Sequence, residues 1–374
     1  MFLYNMHLFL QKSVPTNQNL LYDTEEQARL ALVGDLDMHI NEQGLIYNAA
    51  FDDSKVFYGQ NYDNCQYNSP MFSDYINSQI EWLLPYIPQK SIVVEVGCGK
   101  GFYAENIANK RTDCQIYGFD SSYSGEQSKQ TNLRFYKEYY NENYANIKPN
   151  FVISRHVIEH ISKPSAFLKS IRKTMQNGAM LFLETPDTEW ILKNNVIYDF
   201  FYEHCSYFTE NSLANILSES GFEPIEIKKE FGEQYMWFLA KANDKNKRET
   251  PNDTFEIKNL CKQYAENREK TIFAIKDKIR ALNGKHTFIW GAGAKGVTFV
   301  NIFDHQKKYI KGIVDINPSK QGKFIAKTGH PVIAPANLAQ ELNKCTILLL
   351  NENYYSEIKN MLCQMNIDCD LEIL

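Results

Sequence analysis

No C-x-x-C pair occurs among the eight cysteines, Cys65, Cys98, Cys114, Cys205, Cys261, Cys345, Cys363 and Cys369. Spacing therefore offers no zinc site, and no metal is expected. The scattered positions suit a reduced cytoplasmic protein better than a disulfide framework in a chain of 374 residues. No run of about 18 apolar residues is present, so no membrane span is expected. The first ten residues, MFLYNMHLFL, are apolar but lack a basic flank and contain Asn5 and His7, which argues against a signal peptide. There is no dense Lys/Arg run either. With a net charge of −5, the chain lacks the basic face of a nucleic-acid binder. These absences leave small-molecule chemistry. The chain is 44% hydrophobic and long enough for two or three domains.

Three blocks emerge. Residues 1–70 are polar and rich in Asn and Tyr, with few strand or helix signals, and read as an irregular arm on the substrate side. Residues 71–240 alternate strand and helix, the pattern of a parallel sheet with crossover helices. SIVVEVG (91–97), CQIYGFD (114–120), FVISRHV (151–157) and AMLFLETP (179–186) read as buried strands, and FYAENIANKR as a helix. Thr209 can cap a helix ending at Ser220, with Gly221 as its stop. The polar run 241–253 reads as a linker. Asp253 and Glu256 form a capping box for a long helix reaching Gly284. Residues 254–374 then form a second, smaller α/β domain, with strands in HTFIW, KGIVDINP and CTILLLNEN. The expected fold class is α/β: a Rossmann-type domain plus a smaller Rossmann-like one.

Each α/β block has one glycine turn. In the first, SIVVEVG runs into Gly97-Cys98-Gly99-Lys100-Gly101 and a helix. Glycines suit a strand end that turns sharply while a ligand approaches the backbone. Glu95 stands inside the strand, and Asp120, followed by Ser121, ends the next one, where a carboxylate can accept from a ribose diol. In the second, Gly291-Ala292-Gly293-Ala294-Lys295-Gly296 follows a strand and opens a helix, and Asp315 closes the next strand about 20 residues on. Alone, that is a dinucleotide fingerprint, though the block is too short to supply a catalytic domain of its own. Tyr202-Glu203-His204-Cys205-Ser206-Tyr207-Phe208 lie beyond the fifth strand, across the loop 185–200, at the ligand-binding edge of such a sheet. A histidine there can act as general base, with Glu203 to orient it and tyrosines to donate.

The E-x-G-x-G-x-G turn with its following acid resembles the class I S-adenosylmethionine (SAM)-dependent methyltransferases. YEHCSYFT resembles the signature of the sugar C-methyltransferases, which act on nucleotide-linked 4-keto-deoxysugars. NQNLLYD (17–23), GLIYNAAFD (44–52), NCQYNSPMF (64–72), ISRHVIEHIS, ETPD, GEQYMWF and IWGAGAKG fall in that family's order. The resemblance implies SAM along Gly97, Cys98, Gly99 and Gly101, near Glu95, with Asp120 and Ser121 at its ribose and Arg155 and His156 beside it. It implies His204 as base, with Glu203 and Tyr202 alongside. It places the acceptor, a nucleotide-sugar, near Tyr62, Gln66, Ser69 and Tyr207. The acceptor's diphosphate would lie at Gly291, Gly293, Ala294, Lys295, Gly296 and Asp315, with Asn351, Glu352 and Asn353 facing the same crevice. The family's cysteine pairs are missing: Ile40 and Gln43 stand where one would be. That departure keeps open a different small-metabolite acceptor, methylated on carbon, nitrogen or oxygen. The expected assembly is a monomer or homodimer.

Overall fold

The computed structural model describes residues 5–59, 65–243, 254–282, 286–341 and 344–374. Its centre is an eight-stranded sheet. In spatial order its strands are Phe222–Glu230, Tyr235–Ala242, Met180–Pro186, Phe151–Arg155, Ile92–Val96, Gln115–Phe119, Leu133–Tyr136 and Ser128–Gln130. The five from Met180–Pro186 through Leu133–Tyr136 run parallel. Ile92–Val96, with four of its five residues buried, lies between Gln115–Phe119 and Phe151–Arg155. The strand order therefore reverses beside it, and the crevice at the carboxyl ends there is where such sheets bind ligands. The four strands read from the sequence are present, as is the helix Phe102–Lys110. Thr209 accepts from the Ser212 N–H and caps the helix Glu210–Glu219, with Ser220 at its end.

A second sheet is wholly parallel, in the order Val332–Ile333, Ile310–Val314, His286–Trp290, Cys345–Leu349 and Cys369–Ile373. Its order reverses beside His286–Trp290, the strand that feeds the second glycine turn. The fold is thus a Rossmann-type α/β domain with a smaller Rossmann-like partner.

Five expectations change. The arm is not irregular. Met6–Pro15, Val33–Ile40 and Ile46–Asn48 form an antiparallel sheet, completed by Ser206–Tyr207 from the larger domain. Burial along Val33–Ile40 alternates residue by residue, sending Leu36, Met38 and Ile40 into the core. The presumed loop 185–200 contains the helix Thr188–Lys193, capped by Asp187. Lys241 and Ala242 belong to a strand rather than a linker, and the rest of 241–253, Asp253 included, lies outside the described residues except Asn243. The long helix runs Phe255–Ala281 with Thr254 at its start, and Gly284 is outside the described residues. Cys345 and Cys369, opposite each other on adjacent strands with Cα atoms 4.6 Å apart, pair as a disulfide, against the expectation of free thiols. Among the described residues no helix is long and apolar enough to cross a membrane.

Candidate active site

Steric demand explains the first glycine turn. A Cβ on Gly97 would stand 2.2 Å from Val157 Cγ2, and one on Gly101 would stand 2.6 Å from the Phe135 ring. Both adopt positive φ, +78° and +87°. Gly99 differs: φ is +53°, yet a Cβ there would meet nothing within 4 Å. Two glycines admit neighbouring side chains, and the third leaves bare backbone facing open space. Asp120 fixes the turn from the next strand. Its Oδ2 accepts from the Gly99 N–H at 2.9 Å, and its Oδ1 accepts from Ser122 N and Oγ. Ser121 is half-buried beside it.

Beneath the turn lies a buried polar layer. Glu95 is 3% exposed, and burial raises its carboxyl to about 8. Its Oε2 has no hydrogen-bond partner. Cys98 is buried, which pushes its thiol up. Arg155 does not reach the crevice as expected. Its guanidinium pairs with the buried Glu184 at 2.6 Å and lies 4.4 Å from the centre of the Tyr103 ring. It supports the cradle from below.

A cavity of about 290 Å³ opens between the two α/β domains. One wall comes from the larger domain: His156, Glu159, His160, Phe201, Glu203, His204 and Tyr235. The opposite wall holds Gly291, Gly293, Ala294, Lys295 and Gly296 of the second glycine turn, with Asp315 and Asn351. Gln66 and Ser69 close one side. Glu352 is exposed, and Asn353 donates to the Phe231 carbonyl. Tyr62 lies outside the described residues.

The second turn repeats the construction of the first. Gly296 is required because a Cβ would stand 2.1 Å from the Gly291 carbonyl oxygen. Gly291 has φ +100° and open space where a Cβ would be. Asp315 accepts from the N–H groups of Ala292 at 2.7 Å and Asn317 at 2.8 Å. Lys295 crosses the cavity to Asp199 at 2.9 Å and Gln234 at 2.9 Å, tying the domains together. Ser69 and the Met71 N–H both donate to Glu357 of the smaller domain, and Tyr354 donates to Gln66.

His204 sits at the centre of the larger domain's wall. Its ring packs against His160, Phe201 and Tyr207, with ring centres 4.7, 5.0 and 6.0 Å away. Burial, then the charges of His160 and His156, push it down to about 3, with Glu159 opposing. Its imidazole is neutral near pH 7. Burial also lowers His160, whose Nδ1 lies 3.0 Å from the Glu203 carbonyl oxygen and 2.9 Å from the Tyr58 hydroxyl. A carbonyl can only accept, so that nitrogen carries the proton. Burial works to raise Glu159, but the His156 hydrogen bond and the charges of three histidines hold it near 2. Val157, which abuts Gly97, lies between His156 and Glu159, so the first glycine turn and the histidine cluster share one short segment. His156 itself has φ +51°, and its N–H donates to the Glu184 carbonyl. Glu159 and His160 were not singled out from the sequence. HVIEHI marks the segment, but nothing in it shows that a 3₁₀ turn at Ile158–His160 folds both side chains toward His204.

Three expected roles change. Tyr202 is fully buried, and its hydroxyl accepts from the Asp52 N–H at 2.9 Å, facing the arm. The chain bends at Tyr202 and Glu203, which turns Tyr202 to the arm while Glu203 and His204 line the cavity. Tyr207 accepts from the Phe201 N–H and donates to its carbonyl, clamping the loop that carries His204. The Glu203 carboxylate accepts from Asn17 Nδ2 at 2.9 Å and Gln18 N at 3.1 Å, which anchors the arm. A cysteine-type zinc site does not fit the arm: Ile40 is fully buried in the core, and Gln43 is exposed.

Residues 67–227 match the model of a methyltransferase domain. Residues 239–367 match that of the C-methyltransferase C-terminal domain. The chain carries a SAM-dependent methyltransferase domain followed by a C-methyltransferase C-terminal domain. SAM is the cofactor of the first. The bare backbone at Gly99 and the unpartnered buried Oε2 of Glu95 fit a ligand with polar hydrogens lying along this turn. The C-methyltransferase NovU of Streptomyces niveus is 24% identical over 220 residues, 55% of this chain and 52% of that protein. The chain thus matches about half the length of this curated relative. Among solved structures, a putative SAM-dependent methyltransferase from Listeria monocytogenes is 10% identical, covering 46% of this chain and 99% of its own, with TM-score 0.37. Magnesium protoporphyrin IX methyltransferase from Synechocystis PCC 6803 is 16% identical, covering 48% and 88%, also with TM-score 0.37.

Proposed function

We propose that this methyltransferase domain acts on the carbon alpha to the ketone of a nucleotide-linked 4-keto-deoxysugar, with His204 as general base. One observation carries the reading: a single cavity joins the neutral His204 imidazole to a glycine turn suited to a diphosphate. The free N–H groups at the start of the helix Ala294–Phe303 favour an anion there. An acceptor anchored at that end extends its sugar toward the histidine wall.

Carbon becomes a nucleophile only when the proton beside the ketone leaves. No other group among the described residues hydrogen-bonds the His204 ring, so its lone pair is available for that proton. The imidazolium formed lies beside Glu159, a buried carboxylate that stays ionised and offsets the new charge. His156, which lines the same cavity, is held in place by Glu159, 3.2 Å from its Nδ1. SAM, held along Gly97–Gly101, supplies the methyl group that the enolate carbon accepts. Water would reprotonate the enolate, so the bound acceptor must displace it from the cavity.

NovU, a C-methyltransferase, supports carbon as the target. The altered arm, with Ile40 and Gln43 in place of cysteines, favours as second reading a different small metabolite, methylated on carbon, nitrogen or oxygen. Incubation with SAM and thymidine diphosphate-4-keto-6-deoxyglucose, followed by mass analysis, separates them. A sugar nucleotide heavier by one methylene supports the first. An unchanged mass with that and related keto-sugars, while SAM binds, leaves the second.

A further inference from the structure

Three potential metal ligands converge on the outer face of the N-terminal sheet, away from the cavity. Asp37 and His39 are two apart on the strand Val33–Ile40, so their side chains share a face. His7 lies directly opposite His39 on the strand Met6–Pro15. Both imidazoles aim Nε2 at the same carboxylate oxygen: Asp37 Oδ1 is 3.2 Å from His7 Nε2 and 3.0 Å from His39 Nε2. The three ligand atoms lie within 4.8 Å of one another, and the ring centres are 5.0 Å apart.

We infer that His7, Asp37 and His39 form a binding site for a divalent transition cation of the zinc class. The chemistry of the donor set selects the ion. Two imidazole nitrogens and one carboxylate oxygen suit zinc, and hard cations such as magnesium prefer oxygen alone. The spacing suits it too. Bonds of about 2.0–2.1 Å at tetrahedral angles put neighbouring ligand atoms about 3.3 Å apart, close to the two separations found. Without an ion, both rings must carry a proton on Nε2 to satisfy one oxygen. A cation replaces two hydrogens, and water completes the fourth position on the exposed side, where His7 is 51% exposed.

The site sits on one row across the sheet. His39 pairs with His7 on one side and Tyr47 on the other, and Tyr47 pairs with Ser206. Asn5 donates to the Tyr47 hydroxyl at 2.8 Å along the same row. An ion therefore clips the outer two strands of the sheet whose innermost strand begins two residues after His204.

The test is zinc titration of the full, tag-free, metal-stripped chain by calorimetry, with cobalt(II) as a spectroscopic substitute. The expected result is one zinc per chain, weakened at least tenfold by H7Q and by H39Q, both of which retain SAM binding as evidence of folding. The cobalt spectrum should show a tetrahedral site that H39Q removes. A chain that binds no zinc overturns the inference. So does binding that survives H7Q and H39Q but disappears in E159Q, since the ion then sits at the histidine cluster beside His204.

Discussion

The imidazoles of His160 and His204 meet edge-on, with ring centres 4.7 Å apart and planes at 88°. Two rings so close in a buried wall disfavour charge on either, and both are pushed below the ordinary histidine value. A base held near 3 is already unprotonated at pH 5. The rate of proton removal should therefore stay flat from about pH 5 to 8. Substrate deuterium exchange measured across that range checks it, and a rate that falls through pH 6.5 would show an ordinary imidazole instead.

Stability carries the same signature. The unfolded chain protonates His204 below 6.5, whereas the folded chain resists until about 3. The unfolded state then binds more protons, so stability is lost as pH falls through that window. H204Q should flatten this acid limb in urea unfolding curves recorded at several pH values.

Glu95 acts in the opposite direction. The folded chain keeps its proton up to about 8, and the unfolded chain releases it near 4.5. Its favourable contribution is complete below 4.5 and is lost as pH rises through 8. Glu95→Gln, which cannot ionise, should remove that alkaline decline while preserving the fold, as thermal melts at pH 6 and 9 would show.

The two kinds of glycine in the first turn predict different failures. Gly97→Ala drives a methyl group into Val157 as well as straining φ, and should destabilise the protein by more than the roughly 1–2 kcal/mol of left-handed strain alone. Gly99→Ala adds only that strain, because its Cβ points into open space. It should leave the melting temperature within a few degrees and weaken SAM binding instead. Equal SAM affinity in Gly99→Ala and the parent would remove Gly99 from the cofactor cradle.

These glycines were legible in the sequence because strand, turn and helix are contiguous there, and the same holds for the second turn with Asp315. The arm was not. Its strands carry polar and charged residues on their open face, and the sheet is completed by Ser206–Tyr207, whose pairing with Ile46 and Tyr47 spans some 160 positions. Side-chain direction was equally hidden. Tyr202, Glu203 and His204 are consecutive, yet Tyr202 faces Asp52, the Glu203 carboxylate faces Asn17, and His204 faces His160. Tyr202→Phe tests that correction. It should cost about 1 kcal/mol of stability through the lost Asp52 hydrogen bond and leave turnover within about twofold, measured by melting and by steady-state rates.

The most direct measurement is hydrogen exchange at the carbon alpha to the ketone, followed by NMR in deuterium oxide with a nucleotide-linked 4-keto-deoxysugar and no SAM. The parent should wash out that proton. His204→Gln should slow the exchange by about 100- to 10,000-fold while binding SAM as tightly as before. Exchange that proceeds at the parent rate without the imidazole would contradict the role given to His204.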